Sequence, residues 1–208
     1  MGLDFDIRYK QIINLLQVNN TGKVLEIGAL PPACLSNYLG KEIDYLGINK
    51  NYSDSEYRIE ELDFVANSFK DDYFTHSVST DTLEHVEKAN RQRFIDEMVR
   101  VTQNTIIMGV PNPECLEYEK TLVKLLEASD KGKHYIEFFK EHEAFGVPSR
   151  EEMRSYLLKH NYTTLENFNL KYWIGILLSD VFDFDINLDQ IIDINEKPAY
   201  RTFYVIKK

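Results

Sequence analysis

Short apolar runs alternate with amphipathic stretches along almost the whole chain, and this alternation constrains the fold most. "KVLEI" (23–27), "IDYLGIN" (43–49), "YRIEELDF" (57–64), "YFTHSVS" (73–79) and "NTIIMGV" (104–110) read as strands. The fourth of these is unusually polar for a buried strand, with Thr75, His76 and Ser77 together; the simplest account is that its polar groups are satisfied at one edge. Residues 4–18 place Tyr9, Ile12, Ile13 and Leu16 on one helical stripe, 33–39 form a short helix, and 90–100 carry Phe94, Ile95, Met98 and Val99 on one face. Two further helices are expected near 114–128 and 133–142. Ser149 and Glu152 make a capping box ahead of Met153, Tyr156 and Leu157. "TTLENFNL" then reads as a sixth strand, "YWIGILLSDVF" as an apolar helix and "RTFYVIK" as a final strand.

Strands that alternate with helices imply a mainly parallel sheet covered on both faces, an α/β domain. In such sheets ligands bind outside the carboxyl ends of the strands, near the switch in strand order. Gly28, Asn49, Asp63 and Asp81 each follow a strand and are the first candidates.

Composition removes several classes of partner. With 208 residues and 43% hydrophobic content, the chain can bury one good-sized core, and a single domain over 1–208 is expected, opened by a helix within 1–20. A formal charge of −10 argues against nucleic acid, whose affinity rests on Lys and Arg neutralising phosphates. The two cysteines, Cys34 and Cys115, lack CxxC or Cys/His spacing and suggest reduced thiols. "MGLDFDIRYK" is too polar for a signal peptide, and the longest apolar stretch is too short to span a bilayer. A cytoplasmic location without a membrane span is expected.

Four stretches carry a resemblance to class I S-adenosylmethionine-dependent methyltransferases: "VLEIGALP", "YLGINKN", "ELDF" and, most specifically, "VSTDTLEHVEKANRQRFIDEMVRVTQNTIIMGVPNP". The match is best over roughly 20–110. "EFFKEHEAFGVPSREEM" is more loosely similar to a segment of methyltransferases associated with glycan biosynthesis. The family implies a Rossmann-like three-layer sandwich: a seven-stranded, mostly parallel sheet whose last strand is antiparallel. Segments 112–148 and 171–197 would be helical lid insertions over the strand ends. The aromatics of these inserts, Tyr118, Tyr135, Phe138, Phe139, Tyr172 and Trp173, are the natural place for acceptor specificity or a homodimer contact.

The resemblance also implies a cofactor site for S-adenosylmethionine. Glu26 and Gly28 match the start of the first family motif, and Ala29 and Leu30 continue its loop. Leu30 and Pro32 stand where later glycines are usual, as in a minority variant of the family. Asn49 replaces the acid that usually accepts from both ribose hydroxyls, with Lys50 beside it. Asp63 matches the acid that receives the adenine amino group, next to Phe64, and Thr80 closes the fourth strand.

"DTLEHV" supplies Asp81, Glu84 and His85 as the catalytic candidates. A helical turn would put Asp81 and Glu84 on one face with His85 beside them. Some methyltransferases hold a divalent ion with a similar string, but the string is also widespread where it only packs the sheet, and no metal is assigned. His134 and His142 read as surface or packing residues. The expected activity is methyl transfer to an oxygen or nitrogen of a small molecule or glycan. The alternative is a degenerate methyltransferase fold serving as a non-catalytic binding or scaffold protein, which Leu30, Pro32, Asn49 and Thr75 favour. A nicotinamide oxidoreductase is weak because no GxGxxG is present.

Overall fold

The computed structural model describes residues 3–16, 22–28, 34–40, 44–46, 64–186 and 197–208. Its sheet has the order β2-β1-β3-β4-β6-β5. The strands are β1 (Val24–Ile27), β2 (Asp44–Leu46), β3 (Phe74–Thr80), β4 (Thr102–Pro111), β5 (Tyr162–Asn169) and β6 (Ala199–Lys207). β2, β1, β3 and β4 pair in parallel, whereas β6 runs antiparallel to both β4 and β5. The antiparallel last strand is as expected.

The count is not: the described residues hold six strands, not seven. The expected third strand, 57–64, lies outside the described residues except for Phe64, which sits on a 3-10 turn, Phe64–Ala66.

Helices cover both faces because successive strand residues point to opposite sides. Leu25 and Ile27 join Ile106, Met108 and Val110 in one core, against α3 (Arg91–Val101) and α6 (Arg150–Tyr156). Val24, Val78, Ile107, Phe203 and Val205 form the other, against α1 (Leu3–Leu16) and α2 (Cys34–Leu39). From α3, Phe94, Ile95 and Met98 are buried as their spacing predicts. Each such side chain contributes roughly 1.5–3 kcal/mol of burial. The capping box is also present: Glu152 N donates to Ser149 Oγ at 3.1 Å, and Ser149 N donates to Glu152 Oε2 at 2.9 Å.

β3 lies between β1 and β4, so its polar residues are not at an edge. Ser77 instead shares a 2.5 Å hydrogen bond with Thr102 Oγ1, and Thr102 also donates to Met98 O at 2.6 Å. A buried hydroxyl on one strand is satisfied by a hydroxyl on the next, which a one-strand reading does not show.

A third cluster forms the helical cover. Cys115, Leu122 and Leu126 of α4 (Cys115–Leu126) pack with Ile136 and Phe139 of α5 (Gly132–Phe145). Trp173, Ile176 and Leu177 of α7 (Leu170–Phe182) complete it. α7 follows β5 without a linker, and Asn169 Oδ1 caps it by accepting from Lys171 N at 2.9 Å. These helices occupy the expected inserts 112–148 and 171–197, of which 187–196 lie outside the described residues. No described helix is long and apolar enough to cross a membrane.

Candidate functional site

A cavity of about 330 Å³ opens at the carboxyl ends of β1 and β3, beneath α5 and α7 and beside α1. This is where a parallel sheet exposes unpaired strand ends and where small-ligand pockets of this size occur.

Glu26 faces the α1 and α2 side of β1 and is 2% exposed. Its carboxylate accepts from Tyr9 Oη at 2.5 Å and from Leu35 N at 3.1 Å. Burial pushes its pKa up in spite of these two bonds. Gly28 follows with φ of +80°, in the left-handed region that favours glycine. A Cβ there would lie 2.0 Å from Thr82 Oγ1, so Thr82 fills the space that a side chain would need. The positive φ and the close approach of Thr82 both require glycine at this turn. Both Glu26 and Gly28 line the cavity.

At the end of β3, Thr80 and Asp81 also line the cavity. Asp81 has φ of +48°, a strained conformation for a non-glycine residue. What holds it is a ring of charges. Arg8 Nη1 and Arg201 Nη2 each reach Asp81 Oδ2 at 2.9 Å. Arg8 also donates to Thr80 Oγ1 at 3.1 Å. Asp4 closes the ring, 3.0 Å from Arg8 and 2.9 Å from Arg201. Two arginines and two aspartates alternate, and Arg201 is fully buried. Burial alone would raise the Asp4 carboxyl; Arg201 and Arg8 more than reverse this and hold it below its usual value.

Glu84 and His85 lie on a 3-10 turn, Leu83–His85. The turn separates them from Asp81: Asp81 faces the arginines, while Glu84 faces His85 and His142. Glu84 is fully buried. Among the described residues, neither of its oxygens has a hydrogen-bond partner. His85 Nε2 lies 3.9 Å and His142 Nε2 3.8 Å from Glu84 Oε1. Burial and the nearby Asp81 charge push Glu84 up to about 8.

Each imidazole is held from behind by another carboxylate. His85 Nδ1 lies 2.6 Å from Glu141 Oε2, and His142 Nδ1 lies 3.1 Å from both oxygens of Glu119. Burial and the neighbouring His142 lower His85; burial also opposes charge on His142, but Glu119 and Glu84 outweigh it and raise that residue. Cys115 sits against Glu119, and burial with that neighbour raises its thiol far above the usual range. It remains S–H and supports Glu119 rather than acting as a thiolate.

The wall above is aromatic. Phe138 packs edge-on to His85, with centroids 5.5 Å apart, and to His134 at 4.6 Å. Phe139 lies behind it against Trp173, which stacks on Tyr200 at 3.8 Å. Of the aromatics expected in the cover, Tyr135, Phe138, Phe139 and Trp173 line the cavity. Tyr118 is exposed and does not line it.

The structure thus brings together Glu26, Gly28, Thr80, Asp81, Glu84 and His85. Phe64 is elsewhere, buried edge-on against Phe94 in the sheet core because its ring is fully apolar and the 3-10 turn points it inward. Ala29, Leu30, Pro32, Asn49, Lys50 and Asp63 lie outside the described residues.

Arg8, Arg201, Glu119 and Glu141 are not among the residues that the sequence singles out, and His142 reads there as a surface or packing residue. His142 is 3% exposed but bonded to Glu119 and turned toward Glu84. A signal for two of these is present: Asp4 and Arg8 are one helical turn apart, and Arg201 is a charge among the mostly apolar residues of β6.

No protein-family model matches the chain, and no curated protein matches it either. Solved structures do. A SAM-dependent methyltransferase from Archaeoglobus fulgidus aligns with a TM-score of 0.60 and 14% identity, over 98% of this chain and 94% of that one. Phosphoethanolamine N-methyltransferase 2 of Haemonchus contortus, in complex with S-adenosyl-L-methionine, aligns at 0.57 and 12%, over 96% of this chain and 52% of that one. Magnesium protoporphyrin IX methyltransferase from Synechocystis, with bound SAM, aligns at 0.53 and 10%, over 98% and 77%. The chain has the Rossmann-like fold of the SAM-dependent methyltransferases.

Proposed function

We propose that the chain is an S-adenosylmethionine-dependent methyltransferase that acts on an oxygen or nitrogen of a small molecule or glycan. One observation carries this reading: the Glu26-x-Gly28 turn opens into the cavity at the carboxyl ends of β1 and β3, in a fold shared with enzymes crystallised with that cofactor. The residues fit the group. Gly28 lines the cavity without a side chain, and Glu26 is a buried acceptor two residues before it. Asn49, Lys50 and Asp63 would hold the ribose and adenine end, and Ala29 and Leu30 would form the loop.

When bound, the cofactor would supply an electrophilic methyl group on a sulfonium. The work left to the protein is positioning and exclusion of water. Phe138 and Tyr135 give the cavity an apolar lining, and Asp81, Glu84 and His85 give it polar groups, with Phe138 packed against His85. An acceptor seated against the aromatic rings would present its hydroxyl or amine to these polar groups, where its proton can leave.

A second reading has an observation of its own. Arg8 already bonds Thr80 and Asp81, so the polar groups at the end of β3 are engaged by the first helix. This suits a non-catalytic binding protein that keeps the fold. Calorimetric titration with S-adenosylhomocysteine separates the two. Saturable binding that Gly28→Ala abolishes is expected; no heat at millimolar ligand would favour the scaffold.

A further inference from the structure

We propose that Glu84, His85 and His142 form a binding site for a divalent first-row transition-metal ion, such as Mn²⁺, Co²⁺ or Zn²⁺, in the lining of the cavity. The case begins with what faces what. Glu84 is fully buried, and among the described residues neither carboxylate oxygen has a hydrogen-bond partner. Buried charges in proteins are paired or coordinate metals. The atoms turned toward Glu84 Oε1 are the Nε2 atoms of His85, at 3.9 Å, and of His142, at 3.8 Å. These spacings are too long for a hydrogen bond. They approach the span of two ligands bonded to one shared ion at about 2.0–2.2 Å each.

The imidazoles are set up as ligands. Glu141 and Glu119 take the Nδ1 side of His85 and His142, at 2.6 and 3.1 Å. A carboxylate on Nδ1 fixes the N–H there and leaves the Nε2 lone pair directed at Glu84, the arrangement that supports metal-ligating histidines. Once a metal ion displaces their protons, all three groups present lone pairs to it. One ligand atom from each of the three residues lies within 4.8 Å of the others. Three points so spaced share a position no farther than about 2.8 Å from each, so rotamer shifts of tenths of an ångström bring them to bonding distance.

The donor set selects the ion. Two imidazoles with one carboxylate suit the first-row transition metals and zinc, whereas Mg²⁺ and Ca²⁺ favour all-oxygen sites. All three residues line the cavity, so the ion's remaining positions open toward it. There it would bind the acceptor oxygen or nitrogen and ease loss of its proton. This use of the ion rests on the methyl-transfer reading; the binding of the ion does not.

The test uses chelator-stripped full-length protein titrated with Mn²⁺ and with Co²⁺ alone. Loss of the free Mn²⁺ paramagnetic-resonance signal and a visible Co²⁺ absorption band, each saturating at one equivalent, are expected. Glu84→Gln should abolish both. Glu141→Gln changes a half-exposed residue that only positions His85, and should weaken binding about 10–100-fold with the fold intact. No Co²⁺ band and no Mn²⁺ uptake by the wild-type protein at millimolar metal would overturn the proposal. So would wild-type affinity in a folded Glu84→Gln. S-adenosylhomocysteine binding measured on the same stripped protein reports the methyltransferase reading separately, so either idea can fail alone.

Discussion

Arg8, on the first helix, ends 2.9 Å from Asp81 at the carboxyl end of β3, across 73 residues of chain. The contact does two things. It ties α1 to the mouth of the cavity, and it helps hold Asp81 in its left-handed backbone conformation. Arg201 meets the same oxygen from β6 at 2.9 Å, so the first helix, a central strand and the last strand converge on one carboxylate.

That convergence makes Arg201 the costliest member to remove. Its side chain is fully buried between Asp4 and Asp81, and Arg201→Met would leave both acids short of a partner. Removing one partner of a buried ion pair costs about 3–5 kcal/mol. Urea unfolding should show a loss of that size. Arg201→Met combined with Asp4→Asn should lose less than the sum of the two single changes, because the residues share one network. Additive losses would show that the ring is not acting as a unit.

Asp4 gives the ring a pH signature. Its folded pKa lies below the ordinary 3.8, because Arg201 and Arg8 together outweigh the effect of burial. A carboxyl lowered on folding contributes stability above its unfolded value and loses it as pH falls through the folded one. The stability gap between wild type and Asp4→Asn should therefore be constant near neutrality and narrow below about pH 3.8. Denaturation midpoints across an acid series measure it.

Glu26 should behave in the opposite sense. Burial raises its folded pKa above the ordinary 4.5. A carboxyl raised on folding contributes most below its unfolded value, and that contribution is lost as pH rises through the folded value. Glu26→Gln lacks this titration. Its offset from the wild type reflects the altered bonds to Tyr9 and Leu35, but wild type should lose stability relative to it as pH climbs above 4.5. A flat difference across that range would mean that Glu26 titrates as it does in the unfolded chain.

The layered fold was legible because its signals are local. The second half of β4, Ile106 to Val110, is an apolar run, as a stretch buried on both faces must be, and α3 shows its buried stripe in its own spacing. The turn after β1 was legible too, since Glu26 and Gly28 sit beside each other. The ring of charges was not. Asp4 and Arg201 are 197 residues apart, and no local pattern pairs them. The same holds for His142, which meets Glu84 only because α5 folds back over the end of β3. A histidine on a helix, with no ligand spacing around it, reads as a surface or packing residue. The polar residues of β3 misled for a related reason, since Ser77 finds its partner on a neighbouring strand.

Phe138 and Phe139 are adjacent on α5 but have different surroundings, and their truncation should separate the wall of the cavity from the core of its cover. Phe139 is 5% exposed and packs with Trp173 in the apolar cluster that joins α4, α5 and α7. Phe139→Ala should cost about 3–5 kcal/mol and loosen the whole cover. Phe138 is only half-buried and touches the rings of His85 and His134. It has less surface to lose, so Phe138→Ala should melt close to the wild-type temperature. If the cavity binds an acceptor beside His85, that same variant should show weakened turnover with S-adenosylhomocysteine affinity nearly unchanged, because an apolar wall orients the acceptor and excludes water. Melting curves, homologue titration and turnover on both variants decide the matter. Equal and large losses of stability in the two would place Phe138 in the core after all. Unchanged turnover in a stable Phe138→Ala would remove the wall from the mechanism.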